Sequence, residues 1–454
     1  MDESFSSDEN KTPSSVQCFL IKVIVAIVVA VIVIVGAIVL ATTLTKSDPD
    51  FKDTEPIPSP TYQISNEPEP QPSSEPEPQP TSGPSPTSEP EPTPEFTFPH
   101  NISYYQNYME SMAQFIQTIQ MEDGAILDHI ILTYARTRIV PYFSCTAAEG
   151  LLVTGNQSYH ENVRKFCEWY FNHLNKEGLT DRYVAGSIFD YYYQLISEVP
   201  EYEITTNEEM DSEDSYAALF LNLLYHYANL SYDYNFLIEH RSDIDLVSSV
   251  LTNPEILNDC LTYAKSTYHI KYNMDNSEVY SGFLAAEWIY RNVFNDDAKA
   301  DEFHQHSNRL IQKFEEVMWS EVHQFYKYHA DQADSEWNLS IFHPQGLAQI
   351  FPQIYGLIDP NGNRSQILMD WFVEQFPLWM TLEQSDDGFP HAVAGRALTI
   401  GHKWETVVEF LDNIKKKFVD TGFESGKFYS AEIGHAMHII RNILDCETCT
   451  FSDN

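Results

Sequence analysis

Between residues 100 and 454 apolar side chains return at the helical period in one segment after another, and this repetition constrains the chain more than any other feature. From Ser212 to Ala228, the residues Tyr216, Leu219, Phe220, Leu223, Leu224 and Tyr227 stand at i, i+3, i+4, i+7, i+8 and i+11. Ile433, Ala436, Met437, Ile440 and Leu444 repeat the pattern near the end. With Gly, Pro or Asn/Asp breaks between segments, the spacing predicts twelve helices, near 102 to 120, 139 to 154, 157 to 175, 212 to 229, 241 to 265, 277 to 293, 297 to 319, 343 to 357, 364 to 377, 389 to 400, 403 to 419 and 429 to 444. Alternating β-branched runs are scarce, so the expected fold class is all-α.

The helices alternate in kind. PYFSCTAAEGLL, SYAALFLNLL, EVYSGFLAAEWIY, PQGLAQIFPQIYG, FPHAVAGRAL and YSAEIGHAMHII are rich in Ala, Gly, Ser and aromatics, whereas NVRKFCEWYFNHLN and HKWETVVEFLDNIKKKF carry the charge. A helix enclosed by others needs small residues for close approach and has no polar face to keep wet. The even-numbered segments therefore read as inner helices and the odd-numbered ones as an outer layer. Six such hairpins close into an (α/α)6 toroid.

The region before this domain differs. Val23 to Leu40 contains no polar or charged side chain, and with Phe19 to Ile21 and Ala41 it approaches the roughly 20 residues that span a bilayer. A cleaved signal peptide would carry a shorter apolar region of about 7 to 15 residues. Residues 19–41 are thus expected to be a transmembrane signal-anchor helix and residues 1–18 a cytosolic tail. From 42 to 99 the chain turns to Pro, Glu, Ser and Thr, with EPEPQP at 67 to 72 and again at 75 to 80, a composition that forms an extended, solvated, disordered stalk. Flanking lysines lie on both sides of the anchor and do not orient it. Asn-x-Ser/Thr sequons at Asn101, Asn156, Asn229, Asn338 and Asn363 place the C-terminal domain in the secretory lumen or outside the cell, the expectation for a single-pass type II membrane protein.

A formal net charge of -41 excludes a basic nucleic-acid surface, since phosphate backbones are bound by Lys and Arg. Six cysteines are too few for a disulfide scaffold. Cys446 and Cys449 suit a luminal disulfide, with each other or with Cys145, Cys167 or Cys260. Glycine-rich nucleotide loops and GxSxG are absent. His435 and His438 stand at i, i+3 beside Glu432, but nothing supplies a metal's remaining ligands, so neither metal nor cofactor is expected.

The succession DGAI, VPYFSCTAAEGLL, DSEDSYAALFL, MDNSEVYSG, FHPQGLAQIFPQIYGL and FYSAEIGHA resembles the six-hairpin glycosidase superfamily, in an uncharacterised branch, across essentially all of 100 to 454. The resemblance implies a funnel lined by the loops that lead into the inner helices, and carbohydrate chemistry there, usually glycoside hydrolysis. Its uronyl-hydrolase subgroup uses two aspartates, one before the second helix and one at the start of the fourth. Asp123 and Asp214 hold comparable places and are the expected acid/base pair, although the surrounding residues do not match that subgroup.

The residues themselves also gather carboxylates at these loops: Asp123; Asp181, Asp190, Asp211 and Asp214; Asp275 and Glu278; Asp386 and Asp387. Glycoside hydrolysis needs one carboxylic acid and one carboxylate about 5 to 9.5 Å apart. Asp190, Tyr191, Asp275, Glu278, Tyr280, His343 and Asp387 are the expected substrate-binding residues, with the rings stacking on sugar faces. Helix capping explains acids at helix starts equally well, and aromatic runs also build cores. An acidic funnel favours a neutral glycan over an anionic one. A membrane-anchored glycoside hydrolase is the expected function, and a non-catalytic glycan-binding or adhesive ectodomain on the same toroid is the alternative.

Overall fold

Proline and glycine decide where the expected helices hold and where they do not. The computed structural model describes residues 96–130, 136–179, 182–195, 202–384 and 388–453. The expected tail, anchor and nearly all of the stalk lie outside them. Among the described residues no helix is long and apolar enough to cross a membrane.

The helices are α1 (Ile102–Ile119), α2 (Pro141–Val153), α3 (His160–Asn172), α4 (Asp214–Ser231), α5 (Tyr234–Glu239), α6 (Arg241–Thr252), α7 (Asn273–Asn292), α8 (Asp297–Met318), α9 (Asn363–Gln375), α10 (Ala392–Ile400), α11 (Trp404–Ile414) and α12 (Ser430–Leu444). Two expectations need correction. The helix expected over 241 to 265 stops at Thr252, because Asn253 precedes Pro254 and is driven out of the helical region, to φ -64 and ψ 131. The chain then forms a hairpin of Leu257–Asn258 and Leu261–Thr262. The helix expected over 343 to 357 is instead a π-type turn at Phe342–Gly346, with His343 extended, and a 3-10 turn at Leu347–Gln349. Pro344 and Pro352 each remove a helical N–H donor from this stretch.

Two elements went unforeseen. The short α5 is started by Asp233, whose side chain accepts from the Phe236 N–H at 3.3 Å. Arg136–Ile139, Tyr191–Leu195 and Tyr202–Thr206 pair as a three-stranded antiparallel sheet. The aromatic run at 188 to 194 belongs to it, in keeping with the strand preference of Tyr.

Inner helices contact one another in the order α10, α12, α2, α4, α7, and outer helices bridge them: α1 on α12 and α2, α3 on α2 and α4, α6 on α4 and α7, α8 on α7. Residues 342–358 close the ring, for Tyr355 reaches Glu278 of α7 and Phe342 packs on His391 at the start of α10. Small residues set the spacing. A Cβ added to Gly434 of α12 would meet the Thr146 carbonyl of α2 at 2.2 Å, and one on Gly282 of α7 would meet Ala218 of α4 at 2.8 Å. This is the physical content of the inner-helix composition. Thr97–Phe98 pairs in parallel with Thr450–Phe451, which fastens the two ends of the domain together.

Candidate functional site

The starts of α2, α4 and α7 come together at one end of the ring, its mouth. Pro141 opens α2 and brings Tyr142 into its first turn, where the phenol donates to Glu278 Oε1 at 2.6 Å. Tyr355 donates to the same oxygen at 3.3 Å. One turn before Glu278 on α7, Asp275 faces the same side at i, i+3. Asp214 begins α4 below them and is fully buried. Its Oδ1 accepts from Ser212 Oγ at 2.5 Å and from the Ser215 N–H at 2.8 Å, and its Oδ2 accepts from Thr262 Oγ1 at 2.6 Å. Asp211 is exposed just before it.

Burial raises every acid here that is not fully compensated. Asp214 is pushed up to about 6 by burial, against the opposing pull of its three donors. Glu278 is pushed up to about 8, by burial first and also by the charge of Asp214. Asp275 keeps some exposure, yet close packing comes first, then the charges of Asp214, Glu278 and Asp211, in holding its carboxyl well above the ordinary range.

The remaining expected residues divide. Asp190 is buried beside the mouth, accepting from Arg138 at 2.6 Å and from the Tyr216 phenol at 2.9 Å. Asp123 is exposed and stays apart from this group: its Oδ1 accepts from the Ala125 N–H in a turn next to Lys165 of the outer helix α3. The buried acid that leads into α2 is Asp128, whose Oδ1 accepts from the Val140 N–H at 3.0 Å and whose carbonyl holds the Ser430 N–H of α12. Tyr191 turns outward, with its phenol on the His173 carbonyl and its ring edge-on to Trp169 at 5.5 Å. Tyr280 is two residues beyond Glu278, about 200° round the helix, and packs on the core. His343 is exposed, its ring 6.0 Å from that of His391. Asp387 lies outside the described residues.

No family profile matches this chain, and no curated protein matches it either. Solved structures do. A glycosidase matches with a TM-score of 0.51 at 12% identity, covering 75% of this chain and 97% of that one. A variant of a glycosidase in complex with glucose matches with a TM-score of 0.50 at 12% identity and the same coverage. This is the six-hairpin glycosidase fold. A rhamnosidase from Klebsiella oxytoca with rhamnose bound is similar over 77% of this chain and 65% of its own, at 11% identity and a TM-score of 0.48.

Deeper in the six-hairpin ring a second charged group bridges the inner helices. Glu149 of α2 lies 3.3 Å from His438 of α12 and 3.7 Å from Arg396 of α10. His226 of α4 and His435 of α12 adjoin them, and Arg396 lies 5.8 Å over the Tyr355 ring. Burial alone would raise Glu149, but His438 at 3.3 Å, then His226 and Arg396, bring it down to about 2. Burial lowers His438 to about 4, and it lowers His435 and His226 as well. The sequence carried a sign of this group, since Glu149 and Arg396 are the lone strong charges in PYFSCTAAEGLL and FPHAVAGRAL. Tyr142 and Tyr355 carried none, because a Tyr on an inner helix reads as core.

The tail cysteines Cys446 and Cys449 form a disulfide with each other. Cys145 and Cys167 are buried free thiols, and Cys260 is a half-buried one.

Proposed function

We propose that the helical domain is a carbohydrate-active enzyme, a glycoside hydrolase that works at the mouth of the ring. One observation carries this: Asp275 is a partly exposed carboxyl that close packing first, and then the charges of three neighbouring carboxyls, hold well above the ordinary range. That is the state a general acid needs. In the reaction, Asp275 gives its proton to the glycosidic oxygen as the bond to the anomeric carbon breaks. Exposed Asp211, close enough to act on Asp275 through its charge, is the carboxylate that the second half of the reaction requires. The oxygen of water ends on the anomeric carbon, and the proton it loses passes back to Asp275 by way of Asp211 and solvent.

Asp214 has both oxygens occupied below the surface and serves as a fixed charge that, after burial, helps to hold the Asp275 carboxyl up. Asp190, held by Arg138 and Tyr216, shapes the adjacent wall. Tyr142 and Tyr355 hold Glu278. A mouth of four carboxyls, with Arg396 already engaged by Glu149, favours a neutral glycan. Glycosidases of the same fold, one of them with glucose bound, support the class of chemistry.

The deciding experiment is an oligosaccharide hydrolysis screen followed by Asp275→Asn and Asp211→Asn. General acid/base assistance is worth about 10² to 10⁴ in rate, so each variant is expected to lose turnover on that scale while melting normally. Undiminished turnover in both would return these acids to helix capping and leave glycan binding without catalysis.

The apolar run at 19–41 supports a further part of the reading, a membrane anchor with the domain on the luminal or extracellular side. Asn156, Asn229, Asn338 and Asn363 are exposed, as glycan attachment requires. Endoglycosidase treatment of the expressed protein is expected to shift its mobility, and no shift would reverse the orientation.

A further inference from the structure

A cavity of about 280 Å³ lies against the 257–262 hairpin, and none of the four carboxyls of the mouth lines it. Its walls include Tyr263, His269, Lys271, Lys313, Asp259 and Asp331. In a chain of net charge -41 two lysines in one cavity stand out, and they are held differently. Lys313 is neutralised by Asp259 and Glu316, each at 3.1 Å. Lys271 makes no ion pair among the described residues; its Nζ donates to the neutral Asn258 Oδ1 at 3.0 Å and lies 5.0 Å over the Tyr263 ring. Partial burial lowers the Lys271 ammonium from its ordinary value, against the opposing charges of Asp259 and Asp331.

The cavity also has a platform. Tyr263 and His269 stack at 4.6 Å and 26°, which gives a flat aromatic wall beside the ammonium. The hairpin turn that supplies the next wall has Asp259 and Cys260 both left-handed at φ 56 and φ 66, as a two-residue hairpin loop requires, and the Asp259 carboxylate pairs with Lys313.

We propose that this cavity binds a sugar unit carrying one carboxylate, with its ring against Tyr263 and its anionic group on Lys271. The cavity stands apart from the mouth, and the proposal does not depend on the hydrolytic reading. A neutral sugar would leave the Lys271 ammonium without an ion pair, and a bare anion would leave the aromatic wall bare.

Calorimetric titration of the full-length chain with glucuronate, glucose and acetate tests this. Glucuronate is expected to bind one-to-one and more weakly as ionic strength rises. Glucose and acetate, each with half of the recognition, are expected to bind about tenfold more weakly or worse. Lys271→Gln is expected to weaken glucuronate about tenfold or more with the melting temperature unchanged, and Tyr263→Ala to weaken it separately. Asp275→Asn should leave it intact. Acetate binding as tightly as glucuronate, no glucuronate binding, binding that survives Lys271→Gln, or loss in Asp275→Asn would each overturn the proposal. Should Lys271→Gln fail to fold, the glucuronate-to-acetate ratio and Tyr263→Ala still decide it.

Discussion

Two groups of buried charge occupy the same ring and solve the same electrostatic problem in opposite ways. At the mouth, Asp275, Glu278 and Asp214 have hydroxyls and an amide as hydrogen-bond partners and one another as charged neighbours, so their carboxyls are driven up. Deeper in, Glu149 has Arg396 and His438, so its carboxyl is driven down to about 2 while burial lowers the imidazoles around it. Removing a charge from the first group relieves repulsion; removing one from the second leaves an unpaired partner in a dry place. On the proposed reading, function and stability fall to different depths of one ring.

The largest effect that could break this division is catalytic. Asp275→Asn should lower kcat by about 10² to 10⁴ while the melting temperature stays level, because the amide replaces a carboxyl whose charged form is already disfavoured. A fall in melting temperature together with retained turnover would make the mouth a structural site like the interior. Next in size, Glu149→Gln should destabilise the domain by about 3 to 5 kcal/mol, since it leaves Arg396 without its counter-charge, and denaturant melts would show it. A loss below about 1 kcal/mol there would mean that Arg396 finds another partner and that the two depths are not so different.

The pH dependence sharpens the contrast, because the two groups carry opposite signs. Glu278 has a folded value of about 8 against an ordinary 4.5, so its contribution is present below pH 4.5 and is lost as pH rises through 8. His438, at about 4 against 6.5, contributes stability above pH 6.5 that is lost as pH falls toward 4, and His435 and His226 shift in the same direction. Melting temperatures of Glu278→Gln should therefore hold up better than wild type on the alkaline side only, and those of His438→Gln on the acid side only. Smaller still, Tyr142→Phe removes the 2.6 Å hydrogen bond to Glu278 and should cost about 0.5 to 1.5 kcal/mol. Asp123→Asn should change stability by less than about 0.5 kcal/mol and leave turnover alone. A large loss of turnover in Asp123→Asn would put the acid outside the cluster back into the site.

The sequence by itself determined the ring. Helical periodicity over α1 to α4 and over α7 to α12, together with Gly150, Gly282 and Gly434 on the inner segments, follows from local geometry and from the need of enclosed helices for small residues; both are written along the chain. It also placed Asp214 and Asp275 at helix starts, where they are found, and Glu278 one turn further on; Asp190, expected to lead into a helix, instead stands at the head of the strand Tyr191–Leu195. Only the tertiary structure decided what those acids do. Whether an acid at a helix start faces a mouth, as Asp275 does, or a turn on the outer layer, as Asp123 does, depends on which helix packs against it, and no periodicity records that. The conversion of 343–357 from helix to irregular turns had a local cause in Pro344 and Pro352, but its consequence, Tyr355 reaching Glu278 across the ring, did not. The charges of Glu149, Arg396 and His438 come from three separate helices, and their pairing exists only once the ring has closed, because the low dielectric that makes it strong is itself a product of burial.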